Sequence, residues 1–281
     1  DSYSIDEDST TPGAQITVTS GADISLTVYN RQQKATITVV KDVLDPTGAQ
    51  AAFDDGSFTV TTDAGQDAVL ADGGSKTYTV NPGEYMFTEV DNPAYDLVDI
   101  TGADSSSTDT GIATVEVASG GSATITYTNQ QKPASVKIAK VVEDPDGNAP
   151  AYDNGTFTIN TDAGTSQDLT NGSDYTYTDL VPGTYTFTEA DNSNYTLKSI
   201  TGADSSSGRT ATVTVSSDED EEITFTNQQH KAKVTVEKDV LGPDGVTDVS
   251  DDHSFEMTLN SQSKQVSESS SKEWEVNPGT Y

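Results

Sequence analysis

The chain has 281 residues, a formal net charge of −32 and no cysteine, which excludes disulfide bridges and thiolate metal sites. Such an acidic surface repels nucleic acids and anionic membranes, so we exclude both as partners. Hydrophobic residues make up 32% of the sequence. No apolar run reaches the roughly 18 residues of a membrane-spanning helix, so we predict no membrane span in this segment.

Short strands separated by turns are the elements predicted along the chain. In order, the first examples are ATITVVK at 35–41, SFTVTT at 57–62, KTYTV at 76–80, YMFTEV at 85–90 and ATVEVA at 113–118. Clusters such as DPTG, TDAG and NPG separate such strands, and no segment has a sustained 3.6-residue apolar period. The pattern predicts an all-β protein.

The same order of elements then recurs. The segment ITGADSSS at 100–107 returns at 200–207, and TNQQ at 128–131 returns at 226–229. The period is about 99 residues, which is the size of one immunoglobulin-like β-sandwich. We therefore predict tandem immunoglobulin-like β-sandwich repeats.

This period divides the chain into four parts. Residues 34–132 and 133–230 are predicted to be complete β-sandwich repeats. Residues 1–33 correspond to the C-terminal part of a preceding repeat, and residues 231–281 correspond to the N-terminal half of a further one. Only a few residues join successive repeats, so we expect a stiff series of domains within a longer repetitive protein.

A lysine recurs in phase with the repeat in its first strand. Side chains alternate between the faces of a strand, so Lys41 shares the face of Ile37 and Val39. Lys140 and Lys238 occupy the same position 99 and then 98 residues later. Lysine is rarely buried without a partner, and three in-phase instances indicate a specific role for this side chain.

Two other polar residues recur on apolar strand faces. Glu89 and Glu189 end the segments YMFTE and YTFTE, on the face of the two aromatic side chains. Asn129 and Asn227 end ITYTN and ITFTN in the same way, and Asn30 has this position in the N-terminal part. Each complete repeat is therefore predicted to direct one Lys, one Glu and one Asn into its core.

The combination of these three side chains suggests a chemical reaction. Desolvation lowers the pKa of a lysine and raises that of a glutamate, and a buried ion pair often fails to recover its desolvation cost. A neutral amine beside a protonated carboxylic acid can attack an asparagine carboxamide, with the acid moving the proton and ammonia leaving. The product is an isopeptide bond between the first and last strands. The alternative is a hydrogen-bonded cluster without a covalent link.

These residues resemble the collagen-adhesin B-type (Cna-B-like, prealbumin-like) domains of bacterial surface adhesins and pilins. The resemblance rests on TVVKDVLDPTG, PGEYMFTE and TYTN in the first repeat and on KIAKVVEDPDG, PGTYTFTE and TFTN in the second. It implies sandwiches that serve as stalks or shafts, many of which form the Lys–Asn bond autocatalytically with help from Glu. The residues matching that pattern are Lys41, Glu89 and Asn129, and Lys140, Glu189 and Asn227.

Asn30 and Lys238 match the family pattern only in part, because the chain carries no complete set of partners for either. Truncation of the flanking repeats is the simpler explanation. The alternative is that Lys238 of one copy pairs with Asn30 of the next and joins chains head to tail.

We therefore expect a non-enzymatic, extracellular structural stalk or fibre at the cell surface. Its expected partners are neighbouring repeats and other copies of the chain in a filament. The alternatives are an adhesin whose repeats bind a surface ligand and an accessory region of an enzyme.

We expect neither a cofactor nor a metal site. The acidic turns DPDGN at 144–148 and DNG at 153–155 lack the glutamate that completes an EF-hand loop, which leaves weak calcium binding as the alternative to solvated turns.

Overall fold

The computed structural model describes residues 2–6, 17–250 and 252–281. Every regular element in these residues is a β-strand, which confirms the predicted all-β class. The described residues contain no helix long and apolar enough to cross a membrane. Part of the predicted partial repeat 1–33, namely residue 1 and residues 7–16, lies outside the described residues, as does residue 251.

The chain divides into two compact units, Asp1–Lys132 and Pro133–Tyr281. The strands of the first unit are β1 (Ser2–Asp6), β2 (Ser25–Tyr29), β3 (Ala35–Leu44), β4 (Phe58–Thr62), β5 (Ala68–Leu70), β6 (Ser75–Val80), β7 (Gly83–Glu89), β8 (Tyr95–Thr101), β9 (Ser105–Ser107), β10 (Ile112–Val117) and β11 (Ser122–Gln131).

The strands of the second unit are β12 (Ala134–Glu143), β13 (Phe157–Thr161), β14 (Gln167–Leu169), β15 (Asp174–Leu180), β16 (Gly183–Glu189), β17 (Tyr195–Thr201), β18 (Ser205–Ser207), β19 (Thr210–Val215), β20 (Asp220–Gln229), β21 (Ala232–Lys238), β22 (Ser254–Leu259), β23 (Gln262–Ser267) and β24 (Ser270–Val276). From β12 to β20 they follow the order of β3 to β11, and β21–β24 lie in residues 231–281, which the sequence predicts to be part of a further repeat.

Each unit contains a sandwich of a five-stranded and a four-stranded sheet. In the first unit the sheet orders are β5-β4-β7-β10-β9 and β6-β3-β11-β8, and in the second they are β14-β13-β16-β19-β18 and β15-β12-β20-β17. The first and last strands of each repeat, β3 with β11 and β12 with β20, are parallel neighbours. The first unit also holds the parallel pair β1–β2, and the second holds the pairs β21–β24 and β22–β23.

The alternation of buried and less buried residues along each strand explains how these sheets pack. All ten residues of β3 alternate between buried and half-buried, and its Ile, Val and Thr side chains suit a strand that is covered on one face. Inward-facing side chains from both sheets form one core cluster, to which β3 contributes Ile37, β4 contributes Val60, β7 contributes Phe87 and β11 contributes Ile125. The second unit has an equivalent cluster.

Gly102, directly after β8, provides a test of this packing. Its φ is +77°, and an added Cβ would lie 1.9 Å from the backbone oxygen of Thr124 in β11. We expect Gly102→Ala to destabilise the first unit by more than the ~1–2 kcal/mol of left-handed strain alone. Gly73→Ala is the matched control, because Gly73 has φ +69° and no atom within 4 Å of the added Cβ. Equal losses of unfolding free energy in denaturant titrations would contradict the expected clash.

A buried Lys–Glu–Asn site in each repeat

The first unit places Lys41, Glu89 and Asn129 together inside its sandwich. Their exposed fractions are 1%, 6% and 2%. Lys41 and Asn129 come from the neighbouring parallel strands β3 and β11, in which Lys41 is opposite Tyr127 and Val43 is opposite Asn129. Glu89 ends β7 in the facing sheet. The site therefore connects the two layers of the sandwich.

The Lys41 amine lies against the Asn129 carboxamide. Lys41 Nζ donates hydrogen bonds to Asn129 Oδ1 at 2.9 Å and to the backbone oxygens of Tyr127 and Asp42, both at 3.0 Å. It lies 3.7 Å from Glu89 Oε2, which is an ion-pair distance but too long for a hydrogen bond. Within the described part of the chain, Glu89 Oε2 is buried without a hydrogen-bond partner. One carboxylate oxygen therefore faces the amine with its hydrogen-bonding capacity unused.

Burial brings the titration ranges of the lysine and the glutamate closer together. Desolvation lowers the pKa of Lys41 to about 8, although the negative charge of Glu89 opposes this change. Desolvation also raises the pKa of Glu89, against the opposing effects of Lys41 and Asn129. Transfer of a proton from amine to carboxylate therefore costs less here than in water. Because the transfer stays within the pair, it requires no exchange of protons with solvent.

The second unit brings together the same three residue types, Lys140, Glu189 and Asn227, whose exposed fractions are 1%, 1% and 0%. Lys140 Nζ lies 3.4 Å from Glu189 Oε2 and donates a hydrogen bond to the backbone oxygen of Phe225 at 3.1 Å. Asn227 Nδ2 donates to Glu189 Oε1 at 2.8 Å. Desolvation lowers the pKa of Lys140 to about 8. Asn227 Oδ1 is buried and has no hydrogen-bond partner among the described residues.

The matching residues of the two predicted partial repeats lie in different surroundings. Lys238 is half-buried at the end of β21, and Asn30 is exposed. Neither belongs to a complete Lys–Glu–Asn site in the described part of the chain. Pairing of Lys238 with Asn30 of another copy, the alternative to truncation, stays untested.

The structure adds an aromatic partner that the sequence reasoning missed. The Nζ atoms of Lys41 and Lys140 lie 4.3 and 4.2 Å from the ring centroids of Phe58 and Phe157, and Lys238 Nζ lies 4.7 Å from that of Phe255. These phenylalanines recur at the same spacings as the lysines, so the signal was present in the sequence. A ring face at this distance holds the amine by a cation–π interaction while it is charged.

A second polar network, also missed from the sequence, fixes a loop to the last strand. Tyr95 donates from its hydroxyl to Asp54 Oδ1 at 2.6 Å. Gln131 Nε2 donates to the backbone oxygen of Phe53 at 2.8 Å. The second unit repeats the network with Tyr195, Asp153 and Gln229. Its signal was the second Gln of TNQQ, which shares the inward face of the Asn two residues earlier.

The acidic turns are organised around their own backbone. Asp144 Oδ1 accepts hydrogen bonds from the backbone nitrogens of Asp146 and Asn148. Among the described residues, no group of three His, Cys, Asp or Glu side chains is placed to hold a metal ion. Weak calcium binding, the alternative to solvated turns, stays untested.

The two-sheet topology and its parallel pairing of first and last strands define a tandem β-sandwich protein with one buried polar site in each complete repeat. Residues 32–127 and 131–226 match the family model of the prealbumin-like fold domain. These matches cover more than half of the chain, which therefore belongs to this family. The resemblance found in the sequence is confirmed at this level.

Several solved structures are similar to this chain. The Bacillus anthracis TIE protein is 16% identical with a TM-score of 0.46, and the match covers 92% of this chain and 45% of that one. The minor pilin GBS52 of Streptococcus agalactiae is 12% identical with a TM-score of 0.28 over 69% and 96% of the two chains. The major pilin T-13 of Streptococcus pyogenes is 17% identical with a TM-score of 0.27 over 70% and 97%.

The present chain thus spans less than half the length of the TIE protein. A search of curated proteins found no match.

Proposed function

We propose that this chain is a non-enzymatic structural stalk whose complete repeats are each closed by a self-formed Lys–Asn isopeptide bond. The observation that carries the proposal is the 2.9 Å contact between Lys41 Nζ and Asn129 Oδ1, beside the buried carboxyl of Glu89. The recurrence of the same three residue types in the second unit supports it. The tandem prealbumin-like domains suit a pilus or adhesin stalk.

The reaction begins with a proton transfer within the buried pair. Glu89 takes a proton from Lys41, which leaves a neutral amine and a carboxylic acid. The amine attacks the carboxamide carbon of Asn129 while the acid donates its proton toward the carboxamide. The C–N bond to the amide nitrogen breaks, ammonia leaves, and a Lys–Asn amide bond remains. The proton that Glu89 donates ends on the departing nitrogen as ammonia, and Glu89 then takes one proton from the attacking nitrogen and ends as a carboxylic acid. Each site therefore reacts once and consumes no other reagent.

The position of this bond explains how it would resist pulling. β3 and β11 are parallel, so the repeat begins at one end of this strand pair and finishes at the other. A bond from Lys41 to Asn129 passes tension directly between these two strands. Residues 42–128 then lie outside the covalent path of the force. Such a bond would stabilise a chain that has no disulfide bridges.

This role implies an extracellular location at the cell surface. The partners proposed are neighbouring repeats and other copies of the chain in a filament. The high negative charge suits a solvent-exposed stalk, because it keeps a repetitive chain soluble.

The intact mass of the full chain tests the proposal. We expect the chain to have lost two molecules of ammonia. Lys41→Ala and Lys140→Ala should each lose only one ammonia molecule relative to the mass calculated from the variant sequence. The double variant should lose none. Lys137→Ala is the control, since Lys137 lies on β12 with its side chain 40% exposed. An unmodified mass of the wild-type chain would refute the covalent bond.

A further inference from the structure

The two sites differ in what covers the glutamate. In the second unit, Arg209 Nη1 donates to Glu189 Oε1 at 2.7 Å, and Arg209 Nη2 donates to Asp191 Oδ1 at 2.6 Å. The arginine side chain is 25% exposed, whereas that of Glu189 is fully buried. The guanidinium is therefore fixed by two carboxylates and lies between the buried site and solvent.

The first unit has a glycine, Gly111, at the position equivalent to Arg209. The backbone nitrogen of Glu89 donates to the oxygen of Gly111, as that of Glu189 donates to the oxygen of Arg209. Gly111 has φ +67°, and an added Cβ would lie 2.4 Å from the backbone oxygen of Glu89. After the shared ITGADSSS segment, the first unit has TDTG where the second has GR. The longer connection therefore ends on a glycine where the second unit has Arg209.

A cavity of about 350 Å³ lies in the first unit between the connection 108–111 and the buried site. Its lining includes Glu89 and Asn129 from the site and Asp109 and Gly111 from the connection. The glutamate and the asparagine of the first site thus border a space large enough for water and for a departing ammonia molecule.

We propose that Arg209 is a positioning residue that fixes the carboxyl group of Glu189 by a charge-assisted hydrogen bond, so that the second repeat forms its cross-link more slowly than the first. This inference rests on the proposed isopeptide reaction. Hydrogen bonds from a guanidinium to a carboxylate are charge-assisted, and they weaken when the carboxylate takes a proton. The reactive state needs the proton on the glutamate and a neutral amine on the lysine. Arg209 therefore opposes the proton transfer on which the reaction depends.

The test follows both bonds during synthesis of the full chain. Cell-free translation reactions are quenched in acid at intervals, and the two cross-linked peptides are quantified by mass spectrometry. Lys41→Ala and Lys140→Ala identify the peptides. We expect the bond at Lys140 to form at least about tenfold more slowly than the bond at Lys41, which corresponds to the loss of one charge-assisted hydrogen bond.

Two variants separate charge from packing at this position. Arg209→Gln should bring the second rate close to the first and leave the first unchanged, whereas Arg209→Lys keeps the positive charge and should stay slow. Equal rates in the wild-type chain would overturn the inference without any variant, as would a second rate that Arg209→Gln leaves unchanged or lowers. If neither bond forms in any chain, the proposed reaction itself fails. Bonds that form at equal rates overturn only the role of Arg209.

Discussion

Glu89→Gln is expected to slow formation of the Lys41–Asn129 bond by about 10²- to 10⁴-fold, the usual contribution of general acid–base catalysis. Glutamine has nearly the shape of glutamate and can still form hydrogen bonds. It cannot take the proton from Lys41 or return it to the leaving nitrogen. The bond at Lys140 should form at its normal rate, because its own Glu189 is unchanged. Time-resolved mass spectrometry of the cross-linked peptides measures both bonds in one sample.

The variant also removes the negative charge beside Lys41. Removing one partner of a buried ion pair costs about 3–5 kcal/mol, so folding of the first unit must be checked separately, by hydrogen exchange at β3 and β11. Glu84→Gln is the matched control, since Glu84 lies on the same strand with an exposed side chain. A first unit that folds and forms the bond at the wild-type rate in Glu89→Gln would exclude the proposed role of Glu89.

Loss of the cross-link itself is expected to destabilise the first unit by about 4–5 kcal/mol, the value that chain entropy gives for closing a loop of this length. The bond joins residues that are 88 positions apart, so it removes many conformations from the unfolded chain. Lys41→Met deletes the amine, keeps a long apolar side chain in the core, and leaves Glu89 able to become neutral by protonation. Unfolding free energies from amide hydrogen exchange measure the change, with the second unit as an internal reference.

Lys76→Met is the control for this experiment, because Lys76 is exposed on β6 of the same unit. It should leave the exchange of β3 and β11 unchanged. If Lys41→Met and the wild-type chain show equal protection in these strands, the first unit has no covalent clamp, and the three side chains form only a hydrogen-bonded cluster.

The repeat pattern made much of the fold and of the site predictable. Strand alternation assigned Lys41, Glu89 and Asn129 to inward faces, and the structure buries all three. This reasoning succeeds because the direction of a strand side chain depends only on its parity along the strand. The 99-residue period then separated these residues from lysines such as Lys137, which do not recur in phase and lie at the surface.

The same reasoning missed Arg209 and the network of Tyr95, Asp54 and Gln131. Arg209 lies in a connection between strands, where no alternation assigns a direction to the side chain. The Tyr95 network joins a loop, the start of β8 and the end of β11. Its members are distant in the sequence, so their contact depends on how these segments are arranged in space.

The sequence by itself determined the strand class, the repeat length and the residue types that enter each core, because these properties follow from side-chain parity and periodicity. Only the tertiary structure decided that β3 and β11 are parallel neighbours, and that their register places Lys41 Nζ 2.9 Å from Asn129 Oδ1. It also decided that Arg209 bonds one glutamate, whereas a glycine, Gly111, has the equivalent position beside the other. Strand order, register and the path of a connection are set by the packing of residues far apart in the chain, and a local pattern carries no information about that packing.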